Sequence, residues 1–141
     1  MGRILAVDLG TRRVGLAITD PLQMIASPLT NLTFKGEAPL VRELLRLAAE
    51  KDVKRVVIGL PIREDGMEAQ GCRQARSLAR RLQAEGLPAV LWDERYSSRE
   101  AEAVLREMGL GRRRALGRVD PVAAAIILED YLRSASSPAD P

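Results

Sequence analysis

The chain opens with two short apolar runs separated by a polar turn. Arg3 to Leu9 (RILAVDL) and Val14 to Thr19 (VGLAIT) each have the length and content of a buried strand, and the intervening GTRR is short enough for a hairpin. Asp20-Pro21 predicts a second turn, and Ile25 to Leu32 a third strand, so the chain begins as three antiparallel strands. From Glu37 to Lys51 the period changes. Leu40, Val41, Leu44, Leu45, Leu47 and Ala48 now recur at helical spacing. Val53 to Leu60 (VKRVVIGL) reads as a fully buried strand stopped by Pro61. Ala69 to Glu85 follows as a helix with Ala75, Leu78, Ala79 and Leu82 on one face and Gly86 past its end. Ala89 to Trp92 forms a fifth strand. Ser97, with Glu100 three residues later, gives a capping-box pattern and opens a helix that stops at Gly109. A last helix starts near Asp120. Ser134 to Pro141 (SASSPADP) is poor in apolar residues and is expected to be a disordered tail.

Strands that alternate with helices in the second half predict a parallel extension of the antiparallel opening. No linker or repeat divides the chain. The expectation is one α/β domain over residues 1–133 and a tail over 134–141. Its mixed central sheet has about five strands, three antiparallel and then parallel, flanked by helices. At 141 residues the chain can fill one core. No apolar run approaches the roughly 20 residues of a membrane span, and the N-terminus lacks a signal-peptide pattern, which predicts a cytoplasmic protein without membrane partners. Cys72, the single cysteine, cannot form an internal disulfide and reads as a buried spectator among helix-forming residues.

The absence of histidine changes the picture more than the bulk composition does. Ser-His-Asp and Cys-His catalysis are excluded, as is any zinc site built on imidazole. Carboxylates, hydroxyls and basic groups remain. All but three of the 22 basic residues are arginine, whose planar fork suits phosphate, but the net charge of +3 is too small to argue for nucleic acid by itself.

Asp8 ends the first strand. A carboxylate inside an apolar run is costly unless something compensates its charge, and a strand end would aim it rigidly at a metal or a phosphate. Asp93 and Glu94 repeat the arrangement after the last strand. Being adjacent, they face opposite ways, so only one can join Asp8; Glu94 is favoured, with Asp93 a competitor and Arg95 a partner for the other acid. Asp120, before Pro121, has the pattern of a helix cap, and the slim Ala123-Ala124-Ala125 face would let its helix approach the sheet closely. Carboxylates from separate segments suit hard, oxygen-preferring cations, Mg2+ or Mn2+. Two such ions about 4 Å apart can activate water and stabilise a leaving oxygen in phosphodiester hydrolysis. Gly10, Thr11 and Gly59 stand where a substrate backbone could come close. Arg112, Arg113, Arg114 and Arg118, just ahead of Asp120, read as a phosphate clamp, with Arg12 and Arg95 as further nucleic-acid contacts. Aromatic residues are too few for a base-stacking platform.

VDLGTRRVGLAITD, VVIGLP, DERYSSREAE and DPVAAAIILEDYL resemble, in order and spacing, the YqgF/RuvX family, over essentially Arg3 to Leu132. The resemblance implies an RNase H-like fold, similar to Holliday-junction resolvases of the RuvC type. It also implies a nuclease that matures the 5′ end of pre-16S rRNA in ribosome biogenesis, with metal-binding acids at Asp8, Glu94 and Asp120. It raises Glu94 above Asp93, and Asp120 above a cap alone. The fourth strand here lacks the acid that RuvC-type resolvases place there. Resolution of branched DNA, which would call for a homodimer, and a non-catalytic RNA-binding assembly role are the alternatives. DLGT also resembles the phosphate hairpin of actin-like kinases, but those need two lobes, and 141 residues supply one.

Overall fold

The computed structural model describes residues 2–61, 71–93, 107 and 119–135. The alternating runs form the expected strands: β1 (Arg3–Leu9), β2 (Arg13–Thr19), β3 (Ala26–Thr33), β4 (Val53–Leu60) and β5 (Ala89–Asp93). They lie in one sheet in the order β3-β2-β1-β4-β5. β1, β2 and β3 pair antiparallel, while β4 runs parallel to β1 and β5 parallel to β4, as the alternation of strands with helices predicts. The first hairpin is closed by the Gly10 N–H donating to Arg13 O at 2.8 Å. A Cβ on Gly10 would come within 2.6 Å of that same oxygen, so this turn requires glycine.

Helices α1 (Glu37–Lys51) and α2 (Cys72–Ala84) cover one face of the sheet. The expected start of α2 at Ala69 falls outside the described residues. Its other end is set by Gly86, at φ 87°, with the Leu87 N–H returning to Leu82 O at 3.0 Å. Leu40, Val41, Leu44 and Leu47 of α1 and Ala75, Leu78, Ala79 and Leu82 of α2 pack on Leu5, Val7, Leu16, Val56 and Ile58. Each leucine buried in this way contributes about 1.5–3 kcal/mol. Cys72 is buried there, its thiol donating to Pro61 O at 3.4 Å.

Helix α3 (Val119–Ala135) covers the opposite face. Ala124, Ala125, Ile127, Leu128 and Tyr131 meet Ile4, Ala6, Ala17, Ala26 and Val57, small residues on both sides that allow close approach. The helix includes Ser134 and Ala135 and so runs past the boundary expected at residue 133; residues 136–141 lie outside the description. Its far end is tied to the parallel strands by polar groups. The Trp92 indole N–H donates to Asp130 Oδ2 at 3.0 Å, Arg55 donates to the Tyr131 hydroxyl at 2.7 Å, and the Trp92 and Tyr131 rings meet edge to face at 5.4 Å. The buried Thr19 hydroxyl accepts the Ile4 N–H and donates to Asp20 O. Asp20 organises the β2–β3 turn: its carboxylate accepts the Ile25 and Met24 N–H groups, each at 2.8 Å, and these bonds hold its carboxyl below the usual carboxylate range. Among the described residues no helix is long and apolar enough to cross a membrane.

Candidate active site at the carboxyl ends of the parallel strands

β1, β4 and β5 run in the same direction, so their carboxyl ends share one edge of the sheet, where open α/β sheets place their ligands. Strand alternation decides which residues look which way there. Val7 packs under α1 and α2 whereas Ile4 and Ala6 pack under α3, so Asp8 belongs to the α3 face. It is half-buried, held by a strand whose preceding four residues are all buried.

Register carries this position across the sheet. Asp8 pairs with Gly15 of β2, and Gly15 with Asn31 of β3. One step beyond the Val7–Ile58 pair lies Gly59 of β4, which pairs with Trp92 of β5. The transverse row on the α3 face is therefore Asn31, Gly15, Asp8, Gly59, Trp92. A glycine stands on each side of the carboxylate, so neither adjacent strand puts a side chain beside it. Gly59 thus takes a definite place next to Asp8, while Gly10 has a structural reason of its own in the hairpin turn. Thr11 and Arg12 are exposed at that turn.

Asp93 does not share the face of Asp8. Trp92 packs with the α3 cluster and Leu91 with the α1–α2 cluster, so Asp93, next in alternation, falls on the α1–α2 face. Glu94 and Arg95, and Arg112, Arg113, Arg114 and Arg118, lie outside the described residues, as does the expected helix from Ser97 to Gly109 except for Glu107, which is helical. The backbone of Asp120 is helical, within the first described turn of α3 rather than ahead of it.

Among the described residues no three acids are assembled as a metal centre, and Asp8 is the one described acidic side chain on this half of the α3 face. A rigid carboxylate flanked by glycines suits a hard cation in donor type and in access. Sequence reading had no signal for Asn31, Arg13 or Thr33. Only the register of the antiparallel strands places them on the face of Asp8.

The sheet order, the covering helices and a carboxylate at the end of the central strand define an RNase H-like fold of the kind used by RuvC-type resolvases. Two solved structures share it: Thermus thermophilus RuvC in complex with a Holliday junction substrate (TM-score 0.60, 15% identity, covering 100% of this chain and 99% of that one) and the fowlpox virus Holliday junction resolvase (TM-score 0.59, 12% identity, covering 94% and 99%). Residues 2–134 match the RuvX family, described as Holliday junction resolvase, and the chain belongs to that family. Curated relatives agree. Proteins of Anaeromyxobacter dehalogenans (44% identical, 92% of this chain and 96% of that one) and Koribacter versatilis (39%, 93% and 86%) are provisionally named pre-16S rRNA nucleases. The chain is accordingly a nuclease, a hydrolase of phosphodiester bonds.

Proposed function

We propose that this protein is a divalent-metal-dependent endonuclease acting on structured nucleic acid in the cytoplasm, and that its substrate is the 5′ region of pre-16S rRNA. The observation that carries the reading is the position of Asp8: a carboxylate at the carboxyl end of the central strand, between Gly15 and Gly59, on the face that α3 packs against. The names of the relatives at 39–44% identity support the choice of RNA. Asp8, Glu94 and Asp120 would hold magnesium or manganese, as a pair of ions. When bound, such ions supply Lewis acidity towards a phosphodiester and its attacking water.

The protein's own contribution is positioning and charge. β1 fixes the Asp8 carboxylate without a flexible loop, so no reorganisation is needed when the substrate arrives. The glycine flanks remove the side chains that would hold a sugar–phosphate backbone away. Arg12, with Arg95, Arg112, Arg113, Arg114 and Arg118, would neutralise phosphates on either side of the scissile bond. The family description and the likeness to RuvC support a second reading, resolution of four-way DNA junctions by a homodimer with one site per strand.

The test offers purified protein a structured 16S precursor RNA and a four-way DNA junction, each with magnesium, manganese or chelator. Metal-dependent cutting of the RNA is expected. Cutting confined to the junction would replace the substrate and keep the mechanism, and chelator-resistant cutting would remove the metal from it.

A further inference from the structure

The face that carries Asp8 continues beyond it onto the antiparallel side of the sheet, and its composition there is unlike that of a protein core. Val14 of β2 and Leu32 of β3 pair with each other and pack under α1. Their alternates therefore lie on the α3 face: Gly15 and Asn31, which pair, and Arg13 and Thr33, which pair one step further out. Arg13 is the diagonal neighbour of Asp8 across the hairpin, about 7–8 Å away by strand geometry. Asn31 lies two strands over, about 10 Å away.

From this placement we infer that Arg13, Asn31 and Thr33, with Lys35 at the outer end, form a strip that holds the sugar–phosphate backbone of the substrate as it leaves Asp8 across β2 and β3. The inference rests on the nuclease reading and gives it a direction, because the bound strand crosses the antiparallel half of the sheet towards the β3 edge.

Three observations support it. Arg13, Thr33 and Lys35 are exposed, and Arg13 and Lys35 form no ion pair with a described residue. In contrast, Arg46, Lys54 and Arg81 are each neutralised by a nearby acid. The strip is also rigid. The Gly10–Arg13 hydrogen bond fixes one end, and the Phe34 N–H donates to Arg12 O at 2.8 Å, tying the segment before Lys35 to the hairpin. Finally, Asn31 and Thr33 offer donors and acceptors suited to phosphate and sugar oxygens. An open groove of about 360 Å³ lies where the β3 edge meets α1, bordered by Asn31, Leu32, Thr33 and Lys35 on one side and by Pro39 and Leu40 of α1 on the other, so it adjoins the outer end of the strip. Glu43 also borders it, with its carboxylate engaged by Arg46.

The experiment measures equilibrium binding of a structured 16S precursor RNA by the full chain in chelator, from about 50 to about 200 mM salt. The double variant Arg13→Ala/Lys35→Ala is expected to bind about 10- to 100-fold more weakly at the low-salt end, with a log–log salt slope shallower by about one to two. Asn31→Ala/Thr33→Val should lose about 3- to 10-fold with the slope unchanged. The control Arg42→Ala/Arg80→Ala removes two exposed arginines from the helices of the other layer and should match the wild type. If the wild type binds and cuts but the strip variants behave like that control, the strip is wrong and the nuclease reading stands. If the wild type binds neither this RNA nor a four-way junction, both fall.

Discussion

At the carboxyl end of β1 the two faces of one sheet carry opposite chemistry. The face under α1 and α2 presents Val7, Leu9, Val14, Leu16, Leu32, Ile58 and Leu60, an apolar surface continuous across four strands. The other face, one residue along each strand, presents Asp8, Arg13, Gly15, Asn31, Thr33 and Gly59, with no aliphatic side chain among them. The backbone supporting both sets is the same, so the difference is written entirely in the alternation. Further back, where α3 packs, the second face is apolar as well, through Ile4, Ala6, Ala17, Ala26 and Val57. Stability is thus assigned to one whole face and to the apolar part of the other under α3. Around Asp8 the second face carries chemistry that a core would not tolerate.

Breaking that division on the apolar face should cost the most stability. Leu16→Ala opens a cavity beneath α1 at a position with no exposure and is expected to lose about 2–5 kcal/mol in urea unfolding. Next comes the tie between α3 and β5. Trp92→Phe removes the indole donor and leaves the buried Asp130 carboxylate without it, an expected loss of about 1–3 kcal/mol by the same measurement. Gly10→Ala lies on the boundary between the two kinds of surface. Its Cβ would press on Arg13 O, so the hairpin must shift, at a cost of about 1–2 kcal/mol and with a visible change in the Arg13 and Val14 amide resonances.

The smallest effect belongs to the exposed turn at the opposite end of β2. The native carboxyl of Asp20 is held below its ordinary value by the Ile25 and Met24 N–H groups. A group depressed in this way stabilises the folded state above its unfolded pKa and loses that contribution as pH falls through the native one. The Met24 and Ile25 amides should therefore keep their protection near neutrality and lose it only as pH falls below the ordinary carboxylate range, with Asp20→Asn weakening the pH dependence.

Much of this arrangement was legible in the chain. Buried runs such as RILAVDL and VKRVVIGL contain no competing signal, and β1, α1 and β4 have the limits their periodicity predicts. Asp8 stood out because a charge within such a run is costly. What stayed hidden depended on register. That Gly15 and Gly59 flank Asp8 follows from a hairpin closed at Gly10 and from the parallel offset of β1 and β4, neither of which periodicity specifies. Asn31 and Thr33 were harder still, because a register shift between Leu16 and Ala17 resets which β3 residues face α3. The choice between Asp93 and Glu94 shows the same dependence. Adjacency said that only one could face Asp8, and the packing of Trp92 against α3 puts Asp93 on the wrong side.

The most direct test of the division between faces is the Asp8→Asn protein, with its folded stability and its metal-dependent cleavage of structured 16S precursor RNA measured side by side. The variant should stay folded and bind the RNA in chelator, while cleavage falls by about a thousandfold. Cleavage that survives the substitution at an undiminished rate would contradict the assignment of Asp8 to the chemistry.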